Sequence, residues 1–223
     1  MAILFDLFNT LVPGGEADRV AVAQLIAVDL GVDPDGFHRL FLATWPERST
    51  GELGDLPTTL RTLAARLGGD PTPAGVRRAV DRRLALTRGL LASDTGTVEA
   101  LDALRTRGHR LGLVTNCTVE TPGLWAASPL APRLDATAFS CALGVSKPDP
   151  KIFLTACTAL DAEPGGCVYV GDGADGELPA AAALGMRTIQ TVRFAVSDPD
   201  WRGERIGSVA ELLMLAGLTG RRG

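Results

Sequence analysis

The chain has 223 residues, 46% of them hydrophobic, and a formal net charge of −4. That length suits one large domain or a domain with an insert, with room for a sizeable core. The acidic balance excludes the basic footprint of a nucleic-acid binder, and no apolar run reaches the length of a membrane span. The N-terminus lacks the segments of a signal peptide. The four cysteines (Cys117, Cys141, Cys157, Cys167) have no close paired spacing for zinc, so the expectation is free thiols in a reducing cytoplasm.

The chain opens on Ala2-Ile3-Leu4-Phe5, a short apolar run that reads as a buried parallel strand. Asp6 follows it and Thr10 comes four residues later, beyond the strand end where open α/β sheets bind ligands. Pro13-Gly14-Gly15 is a turn signal. From there to Gly89 the periodicity is helical throughout: Glu16 to Leu30, Asp35 to Leu42, Leu53 to Leu67 and Pro73 to Leu91, with no convincing strand. Strands and helices then alternate. A helix from Val98 to Arg107 precedes a strand at Arg110–Thr115, and a third strand is expected over Asp135–Cys141. Asp149-Pro150 starts a helix as N-cap and first helical residue. A fourth strand covers Cys167–Gly171, a helix Asp175–Leu184 and a fifth strand Met186–Val192. Ala195–Gly207 reads as a polar loop, and Ser208-Val209-Ala210-Glu211 as a capping box opening a last helix.

Alternating strands and helices predict an α/β architecture, a Rossmann-like doubly wound parallel sheet with an inserted all-helical cap. Residues 1–13 and 90–223 form the core in this reading, and 14–89 the cap, standing over the C-terminal edge of the sheet as a lid.

The strand ends carry four polar clusters: Asp6 with Thr10, Thr115 with Asn116, Lys147, and Asp172 with Asp175 and Glu177. Lys and Arg total 22, of which only two, Lys147 and Lys151, are Lys. A compact ammonium kept in an arginine-rich chain suits a tight anion site. Acids gathered near Asp6 repel unless a cation lies between them, and hard oxygen ligands on loops suit Mg²⁺. The hydroxyl, the amide and Lys147 would hold a tetrahedral anion in line with Asp6. This is equipment for phosphoryl transfer through an aspartyl-phosphate.

Four stretches make the pattern specific: Asp6-Leu7-Phe8-Asn9-Thr10, Val114-Thr115-Asn116, Lys147-Pro148-Asp149-Pro150 and Gly171-Asp172-Gly173-Ala174-Asp175-Gly176-Glu177. In this order, with a helical block after the first, the chain resembles the haloacid dehalogenase superfamily over essentially its whole length. The resemblance implies that Asp6 is the nucleophile. Thr115 and Asn116 then bind phosphate oxygens, and Lys147 bridges Asp6 and the phosphate. It implies a Mg²⁺ site from the Asp6 carboxylate, the backbone carbonyl of Phe8, Asp172 and Glu177, with Asp175 left to cap the next helix. The partner implied is a small phosphorylated substrate, with oligomeric state open.

Phe8 departs from the family pattern, which has a second acid there. In the family's phosphatases that acid protonates the leaving oxygen and then activates water, a role worth roughly 10²–10⁴-fold. Three readings follow: a phosphohydrolase acting on a good leaving group or with an acid from elsewhere, a 2-haloacid dehalogenase, whose halide leaves without a proton, or a retired site that binds a phosphorylated ligand or a partner. Asp172 and Glu177 favour the first, because two acids beside Asp6 without a metal would blunt its nucleophilicity. A phosphonate hydrolase of the Schiff-base type needs a cap lysine, and residues 14–89 contain none. Arg48 is the candidate in the cap for a substrate anion. His38 and His109 read as structural, and packing is the expectation for Trp45 and Trp125.

Overall fold

The computed structural model describes residues 1–218. Six parallel strands lie in the order β3-β2-β1-β4-β5-β6: β1 Ala2–Phe5, β2 Arg110–Thr115, β3 Ala136–Phe139, β4 Cys167–Gly171, β5 Arg187–Thr191 and β6 Glu204–Ile206. β1 is central because all four of its residues are apolar and buried, as a strand covered on both faces requires. Phe5 registers with Leu113 of β2 and Val170 of β4. The Asp6 amide donates to the Val170 carbonyl at 2.9 Å, so Asp6 leaves the sheet directly beside the end of β4.

The side-chain alternation of the strands divides the core. Ile3, Phe5, Leu111, Leu113, Val168 and Val170 face one side. Ala2, Leu4, Val114, Cys167 and Tyr169 face the other. Helix α6 (Thr95–Thr106) covers the first face through Ala100, Leu101 and Leu104. Helices α9 (Pro150–Ala159) and α10 (Glu177–Ala183) cover the second through Ile152, Phe153, Leu178 and Ala181.

Between β1 and α6 every regular element is a helix: α1 Glu16–Leu30, α2 Pro34–Ala43, α3 Trp45–Ser49, α4 Leu56–Arg66 and α5 Pro73–Leu90. These helices enclose an apolar core of their own, with Ile26, Phe37, Leu60, Leu63 and Val76 at its centre. Side-chain caps mark their starts: Asp33 on the Gly36 amide, Asp55 on Thr58 and Thr72 on Gly75. A short helix, α7 (Glu120–Trp125), meets α5 from the sheet side.

Several expected elements differ. Asp33, not the Asp35 side, opens α2, because Pro34 takes the first helical position. Trp45–Ser49 forms a further short helix, beyond the four expected between Glu16 and Leu91. β3 stops at Phe139, since Ser140–Leu143 turns helical (α8) and ends on left-handed Gly144. β6 lies inside the expected polar loop; three residues with two exposed make an edge strand without an apolar run to announce it. The Ser208 capping box does not form. The Glu211 carboxylate accepts from the Gly207 amide at 3.1 Å, and Val209–Met214 is 3-10 rather than α.

Candidate active site

Lys147 is the hub of the strand ends. Its Nζ lies 2.5 Å from Asp6 Oδ1 and 2.5 Å from Glu177 Oε2, in an ion triad almost wholly out of solvent. It also reaches the Tyr169 hydroxyl at 3.3 Å. The loop before α9 delivers it. The Lys147 amide donates to Asn116 Oδ1 at 2.7 Å, and Asn116 Nδ2 donates to the Lys147 carbonyl at 3.1 Å. The Lys147–Pro148 peptide is cis, and Asp149 caps α9 through the Lys151 amide.

Glu177 is filled by protein donors. Oε2 accepts from Lys147 and from the Tyr169 hydroxyl at 2.7 Å, and Oε1 accepts from the Gly173 amide at 2.9 Å. Gly171 has no room for a side chain because the Glu177 carboxylate lies where a Cβ would project. Asp172 accepts from the Ala174 amide at 3.1 Å and from Ser197 Oγ at 2.5 Å. Thr10 donates to Asp6 Oδ2 at 3.2 Å, as its spacing from Asp6 suggests. Ligand oxygens of Asp6, Asp172 and Glu177 all lie within 4.8 Å of one another.

The charge count explains the titration of the site. Three buried carboxylates face one ammonium. Burial pushes the Asp6 carboxyl up to about 7; Lys147 pulls it down, while Glu177 and Asp172 push it further up. Burial works against the charge of Lys147, but Asp6 and Glu177 hold its ammonium above the ordinary range. Burial and Glu177 keep the Tyr169 hydroxyl protonated and donating.

A cavity of about 640 Å³ opens above Asp6, walled by the strand-end loops below and by α1, α2, α3 and α5 above. Asp6, Phe8, Asn116, Lys147, Asp172 and Arg48, all singled out in the sequence, line it. Thr10, Thr115 and Glu177 do not; they are fully buried behind it. The Thr115 hydroxyl makes one long bond, 3.4 Å to the Asn116 carbonyl. Asn116 is more committed than its expected phosphate-binding role allows, since its second amide hydrogen goes to Asp175 Oδ2 at 2.7 Å. Asp175 is therefore a tether for Asn116 and not a cap for α10. It holds a left-handed backbone, φ 55°.

Two expectations for the helices change. His38 and Trp45 line the cavity rather than merely packing, whereas Trp125 is core. Arg48, the candidate for a substrate anion, is 5% exposed, its guanidinium sits 3.5 Å over the Phe41 ring, and it donates to the Phe41 carbonyl at 2.6 Å. Phe8 presents its ring to the cavity, with the Arg19 guanidinium 4.6 Å above it.

Arg19, Arg83 and Tyr169 were not singled out by the sequence. Two carried a signal. Tyr169 is the single tyrosine, set in a buried strand where its hydroxyl must find a partner. Arg83 falls on the buried stripe Val76, Ala79, Arg83, Thr87, Leu90 of α5, where an arginine needs a reason. Arg19 had no such mark.

Similarity to known proteins identifies the family. The family model for haloacid dehalogenase-like hydrolases matches residues 1–185. The chain is 29% identical to the glyceraldehyde 3-phosphate phosphatase of Methanopyrus kandleri, over 91% of this chain and 88% of that one. It is 33% identical to the plasmid phosphoglycolate phosphatase of Cupriavidus necator, over 89% and 83%. Among solved structures, a HAD phosphatase from Thermococcus onnurineus superposes with a TM-score of 0.68 at 22% identity, covering 97% of both chains. The chain belongs to the haloacid dehalogenase-like hydrolases, and is a hydrolytic enzyme of that phosphatase-rich family.

Proposed function

We propose that the protein is a Mg²⁺-dependent phosphohydrolase of a small phosphorylated metabolite, with Asp6 as nucleophile and residues 14–89 acting as a cap over it. The observation that carries this reading is the charge imbalance at the strand ends, three buried carboxylates against Lys147. A carboxyl pushed up to about 7 is a poor nucleophile until a cation joins it. The donor set fits a small hard cation, since carboxylate oxygens of neighbouring loops approach one another without a second ammonium between them.

Asp6, the carbonyl of Phe8 and Asp172 are the residues that would hold the ion. Glu177, with both oxygens already accepting, serves behind Lys147 as its positioning residue. When bound, Mg²⁺ supplies positive charge for the phosphoryl oxygens and lowers the pKa of Asp6. One Asp6 oxygen attacks phosphorus as the P–O bond to the leaving group breaks, giving an aspartyl-phosphate. Lys147 stays against both the carboxylate and the transferred group. Thr115, whose hydroxyl has only one long bond, would reach a phosphoryl oxygen only if the strand end opens towards the cavity, and Asn116 fixes the Lys147 loop. Water then attacks the acyl phosphate, its bond to Asp6 breaks, and inorganic phosphate and a proton leave as the Asp6 carboxylate is regenerated. With Phe8 in place of the second acid, leaving groups that depart as stable anions react best.

Hydrolysis of acetyl phosphate and para-nitrophenyl phosphate, with Mg²⁺ and with chelator, tests the reading. Turnover that requires Mg²⁺ and disappears in Asp6→Asn is the expected result; its absence under both conditions overturns the reading. Phe8 favours one other reaction, displacement of halide from a 2-haloacid, because a halide needs no proton. Halide release from 2-chloropropionate is its test.

A further inference from the structure

The segment between β5 and β6 supplies no residue to the reaction described above, yet it is fastened to the end of β4 at several points. Gln190 of β5 is fully buried and registers with Gly171 of β4. Its Nε2 donates to the Asp172 carbonyl at 2.9 Å and to the Asp198 carbonyl at 2.8 Å, and its Oε1 accepts from Arg205 Nε at 2.7 Å. Two carbonyls and a guanidinium leave this side-chain amide one orientation. Arg205 on β6 also donates to the Trp201 carbonyl at 2.7 Å and to the Pro199 carbonyl at 3.1 Å. The Ser197 amide closes the seam on the Asp172 carbonyl at 3.2 Å. The approach is close: Gly173 holds φ 98°, and a Cβ there would lie 2.6 Å from Asp198 Cβ.

The seam ends on a side chain of the site. Ser197 Oγ donates to Asp172 Oδ2 at 2.5 Å, and the Ala174 amide donates to Oδ1 at 3.1 Å. Asp172 is 1% exposed, and the buried ammonium of Lys147 pairs with Asp6 and Glu177 but not with it. A buried carboxylate without a cation depends on the hydrogen bonds that hold it. Ser197 itself is exposed, so packing does not account for its hydroxyl. Phe194 and Ala195, three and two residues before it, line the cavity.

We infer that Ser197 is a positioning residue for Asp172, and that the loop between β5 and β6, braced by Gln190, holds that carboxylate for the cation. The inference rests on the reading of Asp172 as a Mg²⁺ ligand. A hydroxyl on Oδ2 fixes the carboxylate without adding positive charge; a lysine or arginine in its place would fix it and repel the ion.

Calorimetric titration of the whole protein with MgCl₂ tests this without recourse to turnover. Ser197→Ala should raise the Mg²⁺ dissociation constant by roughly tenfold, the scale of lost support to a metal ligand. Ser197→Thr, which keeps the hydroxyl, should restore the parent value. Asp200→Ala is the control: it lies on the same loop, with its carboxylate 3.4 Å from Arg202, and should bind as the parent does. Because Ser197 is exposed, its alanine variant folds, and thermal melts in chelator verify that. An unchanged dissociation constant in Ser197→Ala overturns the inference. Equal weakening in Asp200→Ala also overturns it, since the effect would then belong to the loop and not to the hydroxyl. A parent that binds no Mg²⁺ sinks the metal reading and this inference together, whereas a parent that binds no better than Ser197→Ala sinks this inference alone.

Discussion

A carboxyl kept from ionising by its own surroundings is a liability to the fold. In the unfolded chain Asp6 ionises near 3.8, whereas in the fold burial carries it to about 7. Between those values the folded state binds more protons, so stability contributed by the neutral carboxyl is present below about pH 4 and is lost as pH rises towards 7. Asp6→Asn should therefore be more stable than the parent above pH 7, by roughly 4 kcal/mol at most, and equal to it below pH 4. Thermal melts across that range check this, and saturating Mg²⁺ should shrink the gain. Glu177 makes the complementary case. If it positions Lys147, Glu177→Gln lowers kcat by roughly 10–100-fold, the usual effect of a supporting residue, with the Mg²⁺ concentration for half-activity little changed. A shift of that concentration by the same factor would make Glu177 a ligand after all. Asp6, Thr115 and Asp172 could be placed at strand ends from the sequence because each follows an apolar run, and the structure puts them there. Arg19 and the commitment of Asn116 to Lys147 and Asp175 were not legible there, since both depend on contacts between segments far apart in the chain.

Single elements repeat the contrast between what is local and what is not. β1, β2 and β4 are buried on both faces and so announce themselves as apolar runs; β6 is a short edge and does not. α9 is fully written locally, with Asp149 as cap and Pro150 at the first turn, whereas the Ser208 box has the right residues and loses to a 3-10 turn packed on α6. α9 also anchors the loop that carries Lys147, so its start matters beyond the helix. Asp149→Ala removes the bond to the Lys151 amide and should cost about 1 kcal/mol. In a chain of this size that is a fall in Tm of roughly 2–4 °C. Scanning calorimetry reads it directly, and a parallel fall in kcat would show that the cap also steadies Lys147.

At the scale of the molecule, one buried ion pair among the described residues ties the helical stretch to the sheet side. Arg83 on α5 meets Glu120 at the start of α7, with side chains 5% and 1% exposed. Thr118 and Thr87 complete the Glu120 Oε1 shell at 2.7 and 3.3 Å. Burial works against the charge of Glu120, but Arg83 and Thr118 hold its carboxyl below the ordinary value. Arg83→Met leaves that buried charge with only the Thr118 and Thr87 hydroxyls, and such losses run to about 3–5 kcal/mol. Replacing Glu120 with Met as well should recover most of it, because two apolar groups of similar volume pack where the pair stood. A double-mutant cycle in denaturant measures the coupling. The overall architecture was readable from the change of rhythm at residue 90, where helical periodicity gives way to alternation. The clamp itself was hidden, because an arginine on an apolar stripe looks like an exception until its partner from another segment is in view.

The placement of β1 has a consequence for the chain as it leaves the ribosome. β1 is the earliest strand to be made and yet the one with a neighbour on each side, β2 and β4. Its second neighbour is Cys167–Gly171, separated from it by the whole helical stretch and two further strands. Until then β1 is an apolar ribbon with an unpaired edge, open to pairing with another chain. Asp172 and Glu177 follow β4 directly, so the same event that seals that edge brings the acids to Asp6. A nascent chain halted before β4 leaves that edge open and lacks the acids that gather around Asp6.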